Sequence, residues 1–390
     1  MYLTQALHKA AREKPNATAS VFRGRRRTFE QLRKRAAQFA GLLQSLKAEP
    51  GDRIAMLALN SDQYLEYLFG TFWGGCAINP VNTRWSVREI AYSLNDCQTR
   101  ILFIDDAFAH LIDPLREQCP CLESILYIGD KTAPDRTLPY EAALNSATEV
   151  KDALRSGNDL AAVLYTGGTT GIAKGVMLSH SNLLSNALSA LAAAPRPQID
   201  ATLHVAPLFH VGGLAAVFQT ALRGATHVIL EQFDSATVIR TIASERINEV
   251  FLVPTMLQRI LDEPCFNEHD LSSLKNIIYG AAPIDPTLLQ RAISALPCSQ
   301  FMQVYGMTEL APVTAILPAY YHTLAGQQLD KLKAAGRPTP ICEVRIENAD
   351  GKELPMGQTG EIVVRGPSVM LGYWNKPDET AKALRDGWPR

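Results

Sequence analysis

Long apolar runs are missing from this 390-residue sequence. The longest uncharged stretch, 205–222, holds Pro207, His210 and the pair Gly212-Gly213. It reads as a buried strand, a loop and a buried helix rather than a transmembrane segment. Residues 1–12 lack the apolar centre of a signal peptide. Cysteine is sparse: seven residues, no Cys-x-x-Cys, and one close pair, Cys119-Pro120-Cys121. This argues against a zinc site or a disulfide framework and for free thiols in a reducing cytoplasm. Charge of one sign is not in excess, since 38 Lys and Arg face 39 Asp and Glu. No nucleic-acid or polyanion surface is expected. The one basic cluster, Arg23, Arg25, Arg26 and Arg27, lies between two short extended stretches and reads as a solvated hairpin tip. The G-x-G-x-x-G dinucleotide fingerprint, the Gly-Lys-Ser/Thr ending of the common triphosphatase loop and the G-x-S-x-G elbow are all absent. Ser272-Ser273-Leu274-Lys275 has a hydrolase-like spacing but reads as a helix end or turn.

What is present is an alternation of strand and helix patterns. Thr28-Phe29-Glu30-Gln31 has the spacing of a capping box, followed by Leu32, Ala36, Phe39, Leu43 and Leu46 at helical spacing. Residues 53–59, 100–105 and 124–128 read as strands, and 62–73 and 86–95 as helices. The polar segment 138–158 reads as a connection between subdomains. Strands are then expected at 160–166, 202–206, 226–230, 249–253 and 276–279. Helices are expected at 181–193, 212–222, 238–245 and 286–296. From Gly336 the texture changes. Residues 342–347, the turn Asn348-Ala349-Asp350-Gly351 and 361–365 read as antiparallel hairpins. The expected class is α/β, with largely parallel sheets covered by helices and a small β-rich subdomain at the end. The expected boundaries are 1–150 for an N-terminal α/β subdomain, 151–335 for a ligand-binding α/β subdomain and 336–390 for the β-rich part.

Four loops carry the candidate chemistry. The first is Tyr165-Thr166-Gly167-Gly168-Thr169-Thr170-Gly171-Ile172-Ala173-Lys174-Gly175, leaving a buried strand and preceding a helical pattern near Ser181. Backbone N–H groups, threonine hydroxyls and one ammonium suit a polyphosphate. The second is Gln303-Val304-Tyr305-Gly306-Met307-Thr308-Glu309. The third, Tyr279-Gly280-Ala281-Ala282-Pro283, ends a strand. The fourth, 206–213, joins a strand to a helix. Loops at the carboxyl ends of parallel strands form the ligand crevice of open α/β sheets, so the four are expected to converge.

These loops, in this order, together with Gly366-Pro367-Ser368-Val369-Met370-Leu371-Gly372-Tyr373-Trp374 and the following 375–380, resemble the adenylate-forming (AMP-binding) superfamily. Its members include acyl-CoA synthetases, luciferases and peptide-synthetase adenylation domains. The resemblance implies two mostly parallel sheets and a reaction joining a carboxylic acid to ATP, with later transfer to coenzyme A. It implies that Thr166, Gly167, Gly168, Thr169, Thr170, Gly171 and Lys174 cradle the phosphates. Tyr305 would stack on adenine. Gly280, Ala281, Ala282, Pro283, Gly306 and Met307 would line the nucleotide, Thr308 would bond the α-phosphate and Glu309 would hold Mg2+. Lys174, Thr308 and Glu309 are thus the expected catalytic residues. His210 corresponds to a residue beside the acyl pocket. Peptide-synthetase domains usually have an aspartate there, and Phe233-Asp234-Ser235 reads instead as a helix N-cap. The pocket candidates Val211, Gly212, Gly213, Ala281, Val304, Met307, Ala311 and Val313 are small or apolar, which fits a fatty or aryl acid better than an amino acid. Loading of a carrier protein, or a degenerate paralogue that only binds nucleotide or acid, are the other readings. The resemblance is compatible with a homodimer in the cytoplasm.

The sequence departs from the family pattern at two places. Gly167-Gly168 stands where Ser-Gly is usual, and Ala173 where Pro is usual. Loss of one hydroxyl to a charged phosphate is expected to cost about 1.5–3 kcal/mol of ATP affinity. Asp386-Gly387-Trp388 normally precedes a Thr-Gly-Asp, and Asp386 is not that ribose-binding aspartate. The hinge and lid domain that follow in the family are not in this sequence, so weak nucleotide binding and poor adenylation are expected.

Overall fold

The computed structural model describes residues 2–167, 172–322, 329–385 and 388–389. Gly168, Thr169, Thr170 and Gly171 of the first loop, and Asp386 and Gly387, lie outside the described residues. The first half of the chain runs α1 (Gln5–Glu13), β1 (Thr18–Phe22), β2 (Arg25–Thr28), α2 (Phe29–Ser45), β3 (Arg53–Leu57), α3 (Asp62–Trp73), β4 (Ala77–Pro80), α4 (Val87–Asp96), β5 (Ile101–Ile104), α5 (Ile112–Gln118), β6 (Ser124–Tyr127), β7 (Leu138–Pro139) and α6 (Tyr140–Ser146). It continues with β8 (Leu160–Thr166), β9 (Lys174–Ser179), α7 (His180–Ala193), β10 (Ala201–His204), α8 (Val211–Arg223), β11 (Thr226–Ile229), α9 (Ser235–Ser244), β12 (Glu249–Leu252), α10 (Pro254–Asp262), β13 (Asn276–Gly280), α11 (Pro286–Ala295), β14 (Gln300–Gly306) and β15 (Val313–Leu317). Last come β16 (Arg337–Pro338), β17 (Glu343–Glu347), β18 (Glu361–Arg365), β19 (Gly372–Tyr373) and α12 (Pro377–Ala383).

Two large sheets result. One has the order β16-β15-β14-β13-β12-β10-β11-β1-β2, the other β19-β9-β8-β4-β3-β5-β6-β7. Both are parallel in the interior; the first is antiparallel at both edges and the second at one. β17 and β18 form a separate antiparallel hairpin. The sheets exchange strands across the division at residue 150: β1 and β2 join the first, β8 and β9 the second.

Side-chain alternation explains the layering. Ile54 and Met56 of β3 pack with α2 and α3, whereas Ala55 and Leu57 pack with α4 and α5. A strand apolar on both faces needs helices on both, which is what a parallel sheet receives. In the first sheet β10, β12, β13 and β14 pack one face against α9, α10 and α11. Residues of α7 cover part of the opposite face. The capping box at Thr28 forms in both directions, Gln31 N to Thr28 Oγ1 at 3.2 Å and Thr28 N to Gln31 Oε1 at 2.8 Å. Asp234 caps α9 as expected, and Ser272-Ser273 lies in a turn.

Three expectations need correction. The first loop does not lead from a strand into a helix: β9 intervenes, antiparallel to β8, with Thr166 opposite Lys174. It joins the two strands of a hairpin rather than a strand to a helix. The arginine cluster is not simply solvated. Arg23 and Gly24 do make the hairpin turn, but Arg25 and Arg27 bond Asp62, which is 1% exposed. Arg35 of α2 grips the fully buried Glu66 of α3 at 2.6 and 2.8 Å, and Tyr140 donates to the same carboxylate at 2.6 Å. Segment 138–158 is not a bare connection, because Tyr140 and Leu144 are buried in the core shared with α2. Among the described residues, no helix is long and apolar enough to cross a membrane.

Candidate active site

The second loop grows from β14, which already contains Gln303, Val304, Tyr305 and Gly306. After Met307 the chain makes a single 3-10 turn, Thr308–Leu310, and returns as β15. Gly306 is required here, since a Cβ on it would stand 1.7 Å from the Pro312 carbonyl oxygen. The fully buried Asn186 of α7 clamps the turn, donating to Leu310 O at 3.0 Å and Val313 O at 2.8 Å and accepting from Val313 N at 3.1 Å. A buried amide with both ends used fixes the turn against the helix. The turn presents Thr308 to a cavity and buries Glu309.

The fourth loop leaves β10 and ends in α8, with His210 at the N-cap position. Asn60, from the loop after β3, donates to Ala206 O at 3.0 Å and accepts from Leu208 N at 2.9 Å. One buried side chain therefore ties the second sheet to this loop of the first. Protein mass around the His210 ring, and after it the charge of Arg84, hold its pKa below the ordinary imidazole value. The third loop ends β13, with Ala281 at φ 66°.

These loops enclose a cavity of about 400 Å³. Val211, Gly212, Gly213, Ala281, Val304, Tyr305, Gly306, Met307, Thr308, Val313 and His210 line it. Phe251, Val253, Met256 and Ile278 add apolar surface. Ala282 and Pro283 are exposed and stand outside it, Gly280 is buried behind it, and Ala311 packs into the core instead. Tyr305 and Met307 are half-exposed at the mouth. Arg196, Thr202, Gln219 and Glu249 also line the cavity and give it a polar end absent from the sequence reading.

Lys174 and Thr166 are not part of the cavity lining; they belong to the second sheet. A seam connects the two. Met370 N donates to Glu309 O at 2.8 Å, Leu371 N to Met177 O at 2.9 Å and Trp374 N to Gly175 O at 2.7 Å. β19 thus lies along β9, antiparallel. Tyr373 sits at the centre of this seam. Its hydroxyl donates to Glu309 Oε1 at 2.9 Å, and the Lys174 ammonium lies 4.8 Å from its ring centroid. Burial, then the Glu309 charge, push its hydroxyl pKa up. Lys174 Nζ also contacts Glu379 at 2.8 Å, and that hydrogen bond lowers the Glu379 pKa. Tyr373 and Glu379 belong to the 366–380 motif, so the sequence signal was present, but their roles were not assigned. Thr166 is partly buried at the end of β8, and Gly167 is exposed.

An apolar cavity reaches a mouth bearing a hydroxyl and an exposed aromatic ring. A cationic hairpin is joined to that mouth through one tyrosine and one buried carboxylate. Such a site is that of an acid-activating ligase with a two-sheet α/β fold. The family of AMP-binding enzymes matches residues 7–374, and the chain belongs to that family. A fatty acid–acyl-carrier-protein ligase, ScoC of Streptomyces coeruleorubidus, is 33% identical over 391 residues, covering 99% of this chain and 73% of that protein. A feruloyl-CoA synthase of an Amycolatopsis species is 35% identical over 383 residues, covering 97% and 73%. The inhibitor-bound N-terminal domain of FACL13 from Mycobacterium tuberculosis superposes with a TM-score of 0.90 at 28% identity, covering 100% of this chain and 95% of that one.

Proposed function

We propose that the chain activates a carboxylic acid with an apolar body, aryl or fatty, and that coenzyme A is the acceptor. A carboxylate oxygen of the acid attacks the α-phosphorus of ATP. The bond to the bridging oxygen breaks, and pyrophosphate leaves. A thiol then attacks the acyl carbonyl of the mixed anhydride and releases AMP. The observation that carries this reading is the seam: one tyrosine touches both the lysine of the phosphate hairpin and the carboxylate of the cavity loop.

In this reading Lys174 exchanges its half-exposed partner Glu379 for the phosphates, where an ammonium offsets developing charge. Thr308 donates to the α-phosphate, and Tyr305, open at the mouth, stacks on the base. Ala281 borders both nucleotide and acyl group. His210 and Arg84 flank the entering carboxyl group, and the apolar walls exclude water from the anhydride. Among the described residues, no three carboxylates, histidines or cysteines gather as a metal cage. The buried carboxylate of Glu309 suits Mg2+, which retains water and takes other oxygens from phosphate. Bound there with the nucleotide, the ion would neutralise phosphate charge.

The test uses protein in stoichiometric amount with MgATP and a panel of aryl and fatty acids, quenched and scored for acyl-AMP by mass spectrometry. Acid-dependent acyl-AMP is expected, followed by thioester when coenzyme A is added. ATP hydrolysis without acyl-AMP for every acid would refute the reading. Thioester formed only with a carrier protein would reassign the acceptor.

A further inference from the structure

The cavity does not end in apolar residues. Its lining extends from the Tyr305–Thr308 mouth to Thr202 and Glu249, which pair across the opening residues of β10 and β12. From Glu249 to Val253, which also lines the cavity, the chain takes four extended steps, about 13 Å at ~3.3 Å each. Glu249 is 3% exposed and already fully engaged. Arg223 contacts both of its oxygens, and Asn276 Nδ2 donates to Oε2 at 2.6 Å. A second guanidinium enters beside it. Arg196 has a side chain only 6% exposed, donates to Gln219 Oε1 at 2.8 Å and Ala190 O at 3.2 Å, and lies 3.5 Å from Glu249. Its buried Nε has no partner. The adjacent His204 and His227 are driven neutral by burial. Among the described residues, two guanidiniums therefore share one carboxylate, and the inner end of the cavity carries a net positive charge.

Burying an unbalanced charge is costly unless an opposite charge arrives with hydrogen-bonding capacity. We propose that the acid substrate bears a second carboxylate at the end remote from its reacting carboxyl group, and that Arg196 binds it. This rests on the reading of the cavity as an acid-activating site. A monoacid of equal length would set a methyl or ring edge against this guanidinium, whose charge Glu249 offsets only in part because Arg223 already occupies both of its oxygens. A site built for a hydrogen-bonding group rejects the analogue that lacks it.

The test is calorimetric binding of matched acids to the protein without nucleotide: linear diacids of rising length against monoacids of the same length, and terephthalate against 4-methylbenzoate. At one length or ring geometry the diacid is expected to bind at least ~10-fold tighter, the lower end for a charged hydrogen bond. Arg196→Gln should abolish that ratio and Arg196→Lys should keep part of it. Because the ratio is taken within one protein, partial loss of fold does not mimic the result. Monoacids binding as tightly at every length, a preference that survives Arg196→Gln, or no diacid binding at all would overturn the inference. Acyl-AMP is measured in parallel. A diacid preference without any acyl-AMP would sink the activation reading alone, and acyl-AMP from monoacids without a diacid preference would sink only this inference.

Discussion

Tyr373 is the residue on which the two halves of the site meet. Its ring serves the Lys174 ammonium and its hydroxyl serves Glu309, so the two contributions separate by mutation. Tyr373→Phe keeps the ring and removes one hydrogen bond to a buried carboxylate, worth about 1.5–3 kcal/mol. Acyl-AMP formation is expected to slow by ~10-fold or more, with a thermal midpoint close to the parent. Unchanged rates in a quenched-flow assay would show that Glu309 needs no orienting partner. The loops that carry Lys174, Thr308 and Glu309 were legible in the sequence because they hold a recognisable order of residue types. Tyr373 was visible only as part of a motif, since its partner Glu309 lies 64 residues away and one sequence does not display such contacts. The polar cavity end was missed for the same reason. Arg196, Arg223, Glu249 and Asn276 come from four different elements or loops and meet only when β12 and β13 align.

At the scale of elements, helices with apolar stripes and caps were the legible part. α2, α8, α9 and α11 fall close to their expected limits. β9 was not foreseen, because Lys174-Gly175-Val176-Met177-Leu178-Ser179 follows a long Gly/Thr loop rather than a two-residue turn, and its partner β8 reads equally well alone. The pairing of α2 with α3 was also hidden. Its polar centre is Glu66, fully buried and held by Arg35 and Tyr140, with Arg27 at 3.2 Å. Removing one partner of such a pair leaves a charge stranded in the core. Arg35→Met is therefore expected to destabilise the fold by about 3 kcal/mol, with the residual contact to Arg27 limiting the loss. A urea midpoint within error of the parent would mean that Glu66 is neutral in the folded chain.

At the scale of the molecule, the site is a product of two sheets. The first supplies the cavity and the Tyr305–Glu309 loop, the second supplies the β8–β9 hairpin that carries Lys174, and β19 and Asn60 bind them together. If this is one continuous adenylating site, a ligand that spans it gains from both parts at once. The most direct measurement is the affinity of a non-hydrolysable acyl-sulfamoyl adenosine, made with the acid that the panel selects, beside those of AMP and the free acid. The account predicts that the joined molecule binds at least ~100-fold tighter than either part, and that Lys174→Ala and Gly212→Leu, whose side chain would stand against the cavity-lining Phe251, each weaken it. An affinity no better than that of AMP alone would contradict it, since the hairpin and the cavity would then be separate sites that share a border.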